Sequence, residues 1–244
     1  MSIRSLQPRL AEAGATWLEA ALADVERRPD ALAQHFSAVS RRCGRDPLSD
    51  DDPQGLRHGC IDDAARSLLM GALALRGADR ANLLDDLYRH GDAGEKRGVL
   101  RGLRRLDEPG KPGERDTPGE PGGIGAALLP IVEDALRTND VRLVAAAVQG
   151  YGARYLGQEA YRHAVVKCVF TGIPLGAIAN LADRQDAELA RMLVDLAHER
   201  TAAGRDIPTD IHAVVGAFPQ ALDRPDLSVD LLSALLPATH VYKE

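Results

Sequence analysis

Aromatic residues and cysteines are scarce in this chain of 244 residues. Aromatic side chains make up 4% of it, and Ala and Leu supply most of the apolar residues, which favours α-helices and disfavours a β-sandwich. The three cysteines, Cys43, Cys60 and Cys168, contain no Cys-x-x-Cys pair. An odd number of cysteines without paired spacing argues against a disulfide framework.

Long apolar runs, basic segments and nucleotide-binding motifs are also missing. No run approaches the ~18 apolar residues of a membrane-spanning helix, and the first residues lack the apolar stretch of a signal peptide. We therefore expect a cytoplasmic protein. The formal net charge of −6, without a strongly basic segment, argues against nucleic acid as a partner. Phosphate-loop, dinucleotide-binding, zinc-protease and α/β-hydrolase motifs are absent, and we expect no cofactor.

Apolar residues recur with the spacing of amphipathic helices along most of the chain. The pattern predicts an all-α protein of about ten to twelve helices, either irregular or similar to HEAT and armadillo repeats. The segment 107–125 contains four prolines and six glycines, which predicts a flexible linker. It divides an N-terminal helical part, 1–106, from a C-terminal part, 126–244, and we expect the two parts to pack as one domain. A second loop is predicted at about 44–59.

Polar residues cluster on the predicted helix 185–203. Asp195, His198 and Glu199 place two carboxylates and an imidazole on neighbouring positions, which suits metal binding or acid–base chemistry. Alternatively, Arg191 pairs with Glu188 and Asp195, three residues before it and four residues after it. One such cluster supplies too few ligands for a metal site, so we expect no metal. Arg200 is a further polar position of this helix.

Two helix corners and one lysine are further candidates. Asp92 and Glu95 have the spacing of a helix cap after Gly91, and an anion could bind at that helix N-terminus beside Arg89 and Arg97. After Arg137, the pattern predicts that Thr138 or Asn139 caps the next helix. Lys167 lies in an apolar stretch, where it extends its amine to solvent, pairs with a carboxylate or acts as an amine nucleophile.

Several of these stretches form a recognisable series when they are taken in order. They are Leu87-Tyr88-Arg89-x-Gly91-Asp92-x-x-Glu95-x-Arg97, Ala135-Leu136-Arg137-Thr138-Asn139, Lys167-x-x-Phe170-x-Gly172-x-Pro174-Leu175, Leu189-Ala190-Arg191-Met192-Leu193 and Ala197-His198-Glu199-Arg200-x-Ala202-Ala203-Gly204-Arg205. Together they resemble the EboA family over about residues 79–218. The sequence departs from the family pattern at 150–155 and at 180–184.

The resemblance implies an operon for making or moving a small secondary metabolite, which includes a UbiA-type prenyltransferase. It implies a cytoplasmic accessory protein that binds a polar or anionic intermediate or a partner enzyme of that pathway. The alternatives are a lyase, isomerase or transferase that uses Lys167 or the His198/Glu199 pair, and a scaffold for the membrane prenyltransferase. The expected ligand-binding residues are Arg89, Asp92, Glu95, Arg97, Arg137, Asn139, Lys167, Arg191, Asp195, His198, Glu199, Arg200 and Arg205.

Overall fold

The computed structural model describes residues 2–107 and 124–235. Within these ranges it contains fourteen α-helices, short 3-10 turns and no strand, only an isolated bridge between Pro47 and Cys60. The all-α prediction is confirmed. Most of the predicted linker, 108–123, lies outside the described residues. In the described ranges, no helix is both long enough and apolar enough to cross a membrane.

The described residues up to Leu156 form one compact unit. Helices α4 and α6 pack against each other at its centre, with α3 against α4 and α8 against α6. The predicted loop at 44–59 joins α3 to α4. The nine helices of this unit are α1 (Ile3–Leu6), α2 (Glu12–Arg27), α3 (Leu32–Cys43), α4 (Ile61–Gly71), α5 (Gly77–His90), α6 (Ala93–Asp107), α7 (Leu129–Arg137), α8 (Val141–Ala147) and α9 (Gly150–Tyr155).

Two glycines, one turn apart, let α4 and α6 approach closely. A Cβ atom built on Gly98 would lie 2.3 Å from Cδ of Arg66, and one on Gly102 would lie 2.3 Å from Sδ of Met70. The four-residue spacing of the glycines matches the four-residue spacing of the side chains that they accept, as in ridges-into-grooves packing. The α4–α6 interface therefore takes in the long side chain of a charged residue, Arg66, as well as that of Met70.

Residues from Gly157 on form a second compact unit. Its long helix α12 contacts α10, α13 and α14. Asp186 caps α12 by accepting from the N–H of Leu189, and its carboxylate also pairs with Arg162 at 2.7 Å. The described helices of this unit are α10 (Gln158–Thr171), α11 (Leu181–Arg184), α12 (Ala187–Ala202), α13 (His212–Ala217) and α14 (Val229–Leu235).

The division at Leu156–Gly157 places 126–156 with the first unit. The predicted linker segment therefore falls within the span of that unit. In the described ranges the number of helices exceeds the expected ten to twelve because the fourteen include four short helices of four to six residues, α1, α9, α11 and α13.

Candidate functional site

Five charged side chains are buried together between α4 and α6. Asp62 and Asp63 come from the first turn of α4, Arg66 from its next turn, and Arg97 and Arg101 from α6. Nε of Arg97 lies 2.7 Å from Oδ1 of Asp63, and its Nη2 lies 3.1 Å from Oδ1 of Asp62. Nη1 of Arg66 lies 2.8 Å from Oδ2 of Asp62, and Nε of Arg101 lies 3.5 Å from Oδ2 of Asp63. We call these five residues the buried ion network.

Arg66 ties this network to a third helix, α3, and to the start of α6. Its guanidinium donates to the carbonyl of Phe36 and to Oγ of Ser40, both on α3, and to the carbonyl of Gly94 on α6. Each of its three nitrogens therefore has an acceptor, as a buried arginine requires. The network fixes α4 between α3 and α6.

The network carries more positive than negative charge. Three guanidinium groups face two carboxylates, and all five side chains are at least nine-tenths buried. Burial opposes the charge of Arg97, but the carboxylates of Asp63 and Asp62 more than offset it and raise the pKa of Arg97. Burial lowers the pKa of Arg101, and among the described residues its Nε has no hydrogen-bond acceptor. Arg101 is therefore the least compensated cation of the network.

A polar cavity of about 300 Å³ opens beside Asp63 and Arg101. Four arginines and one histidine line it, against a single carboxylate. We call it the arginine cavity; its charged and titratable lining residues are Arg57, His58, Asp63, Arg101, Arg104 and Arg105.

The loop before α4 is fixed in place at this cavity. The buried carboxylate of Asp52 accepts from three consecutive backbone N–H groups of residues 56–58, at 2.7–2.9 Å. Nη2 of Arg101 donates to the carbonyls of Gly55 and Leu56, at 2.6 and 3.0 Å. Because the loop is held from both sides, it holds Arg57 and His58 at the cavity wall.

A second polar cavity, of about 330 Å³, opens beside Asp62 and Arg97. The first turn of α6 and the start of α8 border it. Arginine and aspartate occur in equal numbers in its lining, so we call it the balanced cavity; its charged lining residues are Arg45, Asp62, Asp92, Arg97, Asp140 and Arg142.

Two of these carboxylates cap the helices that border the balanced cavity. Oδ1 of Asp92 accepts from the N–H of Glu95, and Oδ1 of Asp140 accepts from the N–H of Arg142. In the part of the chain that the structure describes, their Oδ2 atoms have no donor, and the guanidinium groups of Arg45 and Arg142 have no acceptor. The cavity therefore offers both donors and acceptors.

Cys60, Asp62 and Asp63 place one potential metal ligand each within 4.8 Å of one another. Both carboxylates are already bound by guanidinium groups of the buried ion network. Burial raises the pKa of Cys60, which keeps its thiol protonated. Since three arginines surround these carboxylates, the local charge disfavours a further cation.

The model of the family described as metabolite traffic protein EboA matches residues 2–216. The chain belongs to the EboA family. The matched range includes all the residues named above for the buried ion network and both cavities. Neither the curated proteins nor the solved structures give a match. The resemblance seen in the sequence is confirmed, and the match to the EboA model extends it to the N-terminal helices.

The structure brings two of the expected site residues of the first unit together. Asp92 and Arg97 line the balanced cavity, and Glu95 completes the predicted capping box by accepting from the N–H of Asp92. Arg89 and Arg137 instead point into solvent, where each pairs with a carboxylate on its own helix.

The predicted cap of α8 is wrong. Asp140 caps this helix, while Asn139 is exposed and the hydroxyl of Thr138 donates back to the carbonyl of Ala135. All three consecutive polar residues are good caps, but α8 begins at Val141, so the residue directly before it accepts from its free N–H groups.

In the second unit, charged residues of the predicted helix 185–203 form ion pairs with one another. Arg191 lies 2.7 Å from Glu188 and 2.7 Å from Asp195, as the pairing alternative predicts. Asp195 also binds Arg224. The remaining expected residues, on α10 or near the end of α12, are the half-buried Lys167 and His198, the exposed Glu199 and Arg205, and Arg200, which donates to the carbonyl of Asp206.

Sequence reasoning missed most of the buried ion network. It singled out Arg97 but neither its partners Asp62 and Asp63 nor Arg66, which shares Asp62 with it. One signal was present: Asp62 and Arg66 stand four residues apart in one helix, a spacing that pairs opposite charges.

Proposed function

We propose that this EboA-family chain is an accessory protein that binds a polyhydroxylated small molecule of a secondary-metabolite pathway in the balanced cavity. The observation that carries this proposal is the equal number of arginines and aspartates around that cavity. A volume of about 330 Å³ lies at the lower end of the range of small-molecule sites, roughly 300–1,000 Å³.

Matched donors and acceptors suit hydroxyl groups better than a charged group. A hydroxyl both donates and accepts, so it can bond a guanidinium and a carboxylate at once. Arg45 and Arg142 supply donors, while Oδ2 of Asp92 and of Asp140 supply acceptors. An anion would meet these carboxylates, and a cation would meet the arginines.

The start of α6 adds donors to the same wall. Ala93 and Gly94, the first two residues of this helix, line the balanced cavity. N–H groups in a first helical turn have no intrahelical acceptor, so they are available to a ligand oxygen. Arg97 lies on the next turn of α6, and its ion pairs with two carboxylates of α4 fix the position of this helix end.

This role requires no covalent step. A traffic protein takes up its ligand and releases it unchanged. We propose that the ligand is an intermediate of an Ebo-type pathway and that other proteins of that pathway receive it, the membrane prenyltransferase among them.

The test is mass spectrometry of the small molecules that co-purify with three forms of the full chain. Wild type and Arg89→Ala should retain the same polyhydroxylated compound, because Arg89 is exposed and pairs with Asp85 on its own helix, outside the balanced cavity. Arg142→Ala should lose it at least about tenfold, as expected when a charged hydrogen bond is removed. Equal recovery from all three forms, or recovery of an apolar compound alone, would contradict the proposal.

A further inference from the structure

We propose that a pocket between α3 and α5 binds the ammonium group at the end of a short alkyl chain. The pocket has a volume of about 290 Å³ and belongs to the first unit. Among the described residues that line it, none is an arginine or a lysine. We call it the acceptor pocket; the side chains that line it are the polar Asp86, His90 and Glu95 and the apolar Ala33, Leu83 and Leu87.

The two carboxylates of the acceptor pocket form no ion pair in the part of the chain that the structure describes. Oε2 of Glu95 accepts from the N–H of Asp92, which leaves Oε1 without a donor, and the carboxylate of Asp86 has no donor in the described ranges. Arg89 lies within electrostatic reach of Asp86, but its guanidinium is bound to Asp85 at 2.5 Å and does not line the pocket. The pocket therefore carries negative charge without a cation of its own.

The imidazole of His90 adds a further acceptor. Its Nδ1 lies 2.9 Å from the carbonyl oxygen of Asp86, and a carbonyl oxygen only accepts, so Nδ1 is the donor of this hydrogen bond. In the neutral ring, Nε2 is then an acceptor. The polar side chains of the pocket thus offer a ligand acceptors and no free donor.

The end of α5 contributes a backbone acceptor. The N–H of Gly91 donates to the carbonyl of Tyr88, at 3.3 Å, so the carbonyl of Leu87 lacks the donor that a continuing helix would give it. A Cβ atom on residue 91 would lie 2.8 Å from this carbonyl oxygen and would cover it, whereas the glycine leaves it open. The carbonyl end of a helix also carries partial negative charge, which favours a cation.

These polar groups select an ammonium over other small ligands. An ammonium group has three donors and no acceptor, which complements a set of acceptors. A hydroxyl group, suited to the balanced cavity, would bring an acceptor of its own, and an anion would meet two carboxylates.

The apolar walls and the volume define the rest of the ligand. Leu83 and Leu87 are half-buried at the pocket and leave apolar surface for an alkyl chain to cover. About 290 Å³ lies just below the usual volume of small-molecule sites, roughly 300–1,000 Å³, so the alkyl part is short.

The test is calorimetric titration of the full chain with pentylamine at pH 8, in phosphate buffer with about 0.15 M NaCl, where exposed charges are screened beyond about 8 Å. A primary amine is protonated at this pH, like the lysine side chain with its pKa of about 10.4. Pentylamine should bind saturably. Three analogues should bind at least about fivefold more weakly, because pentanol lacks the charge, pentanoate has the opposite charge, and pentyltrimethylammonium keeps the charge but has no N–H donor.

Two variants and two controls locate the binding. Asp86→Asn and Glu95→Gln each remove a charge and keep the shape of the side chain, and each should weaken pentylamine binding at least about threefold, a modest factor because Asp86 is exposed. Asp79→Asn removes the same charge from an exposed position of α5 outside the pocket, and Arg142→Ala alters the balanced cavity. Both controls should leave the affinity for pentylamine unchanged.

A free amine and a lysine side chain of another protein offer the same butylammonium group, and Nα-acetyl-lysine amide separates these two sources. If it binds as tightly as butylamine, the pocket takes a lysine side chain. If it binds at least about tenfold more weakly, the ligand is a free amine.

The proposal fails if wild type does not bind pentylamine, or if pentanol, pentanoate or pentyltrimethylammonium binds as tightly. It also fails if Asp79→Asn weakens binding as much as Asp86→Asn. None of these results depends on whether a polyhydroxylated compound occupies the balanced cavity.

Discussion

Replacing Asp62 by asparagine should destabilise the first unit more than replacing Arg97 by methionine. Asp62 accepts from Arg66, Arg97 and Ser40, and its side chain is 1% exposed. The amide keeps the shape of the carboxylate but removes its charge. One carboxylate then faces three buried guanidinium groups, so the excess of positive charge in the buried ion network rises from one to two.

Loss of Arg97 has the opposite effect on this balance. Two carboxylates then face two guanidinium groups, because Asp62 keeps Arg66 and Asp63 keeps Arg101. We expect Asp62→Asn to lower the free energy of unfolding by about 3–5 kcal/mol, the range for leaving a buried charge without its partner. Arg97→Met should cost about 1.5–3 kcal/mol, the range for losing hydrogen bonds between charged groups.

Urea unfolding followed by tryptophan fluorescence measures this difference in the intact chain. Trp17 is the single tryptophan and lies on α2, so its signal reports the first unit alone. With a urea dependence of about 2 kcal/mol per molar, Asp62→Asn should shift the midpoint by about 1.5–2.5 M. Arg137→Ala is the control, because this arginine is 68% exposed and its pair contributes about 0–1 kcal/mol.

The order of the two buried variants decides whether the reasoning holds. If Arg97→Met costs as much as Asp62→Asn or more, the excess of positive charge does not govern the energetics of the network, and the contacts of each residue matter more than the charge balance. A cost of several kcal/mol for Arg137→Ala would refute the assignment of that residue to an exposed pair.

Three further predictions concern packing and pH. Gly98→Ala should lower the thermal midpoint, because its Cβ would clash with Arg66 at a cost of about 1–3 kcal/mol, whereas Gly216→Ala, with no atom within 4 Å of its Cβ, should not. Burial raises the pKa of Cys168 to about 12, so a thiol reagent at pH 8 should label the folded chain far more slowly than the urea-unfolded chain. The stability that depends on keeping this thiol protonated is intact below about pH 9 and is lost as the pH rises towards 12. The guanidinium of Arg162 lowers the pKa of Asp186 to about 2. The stability contributed by the ionised Asp186 is therefore present above pH 3.8 and is lost as the pH falls to 2. Asp186→Asn should lose less stability over this pH range than wild type when acid unfolding is followed by circular dichroism.

Local features of the fold could be predicted from the sequence. The corner between α5 and α6 depends on Gly91, Asp92 and Glu95, which lie within one turn of each other, and the structure forms the predicted capping box. The pairs of Arg191 with Glu188 and Asp195 are likewise set by spacing along one helix. In both cases the partners are neighbours in sequence, so no tertiary packing is needed to identify them.

The buried ion network could not be predicted in this way. Arg97 and Asp63 are 34 residues apart, and they meet only because the glycines of α6 let α4 approach. Helical periodicity distinguishes apolar from polar positions, but it does not show that a polar position is buried against another helix. The two cavities were hidden for the same reason, since each combines α6 with a loop or helix distant in sequence.

The buried ion network is an expensive way to hold two helices together, since apolar side chains of similar volume would stabilise the α4–α6 interface as well or better. Its position suggests what it provides instead: Asp62 and Arg97 reach the balanced cavity, and Asp63 and Arg101 reach the arginine cavity. An arginine side chain loses about 2 kcal/mol of rotamer entropy when it is ordered. Because the carboxylates order Arg97 when the chain folds, a ligand binding at the balanced cavity does not bear that cost.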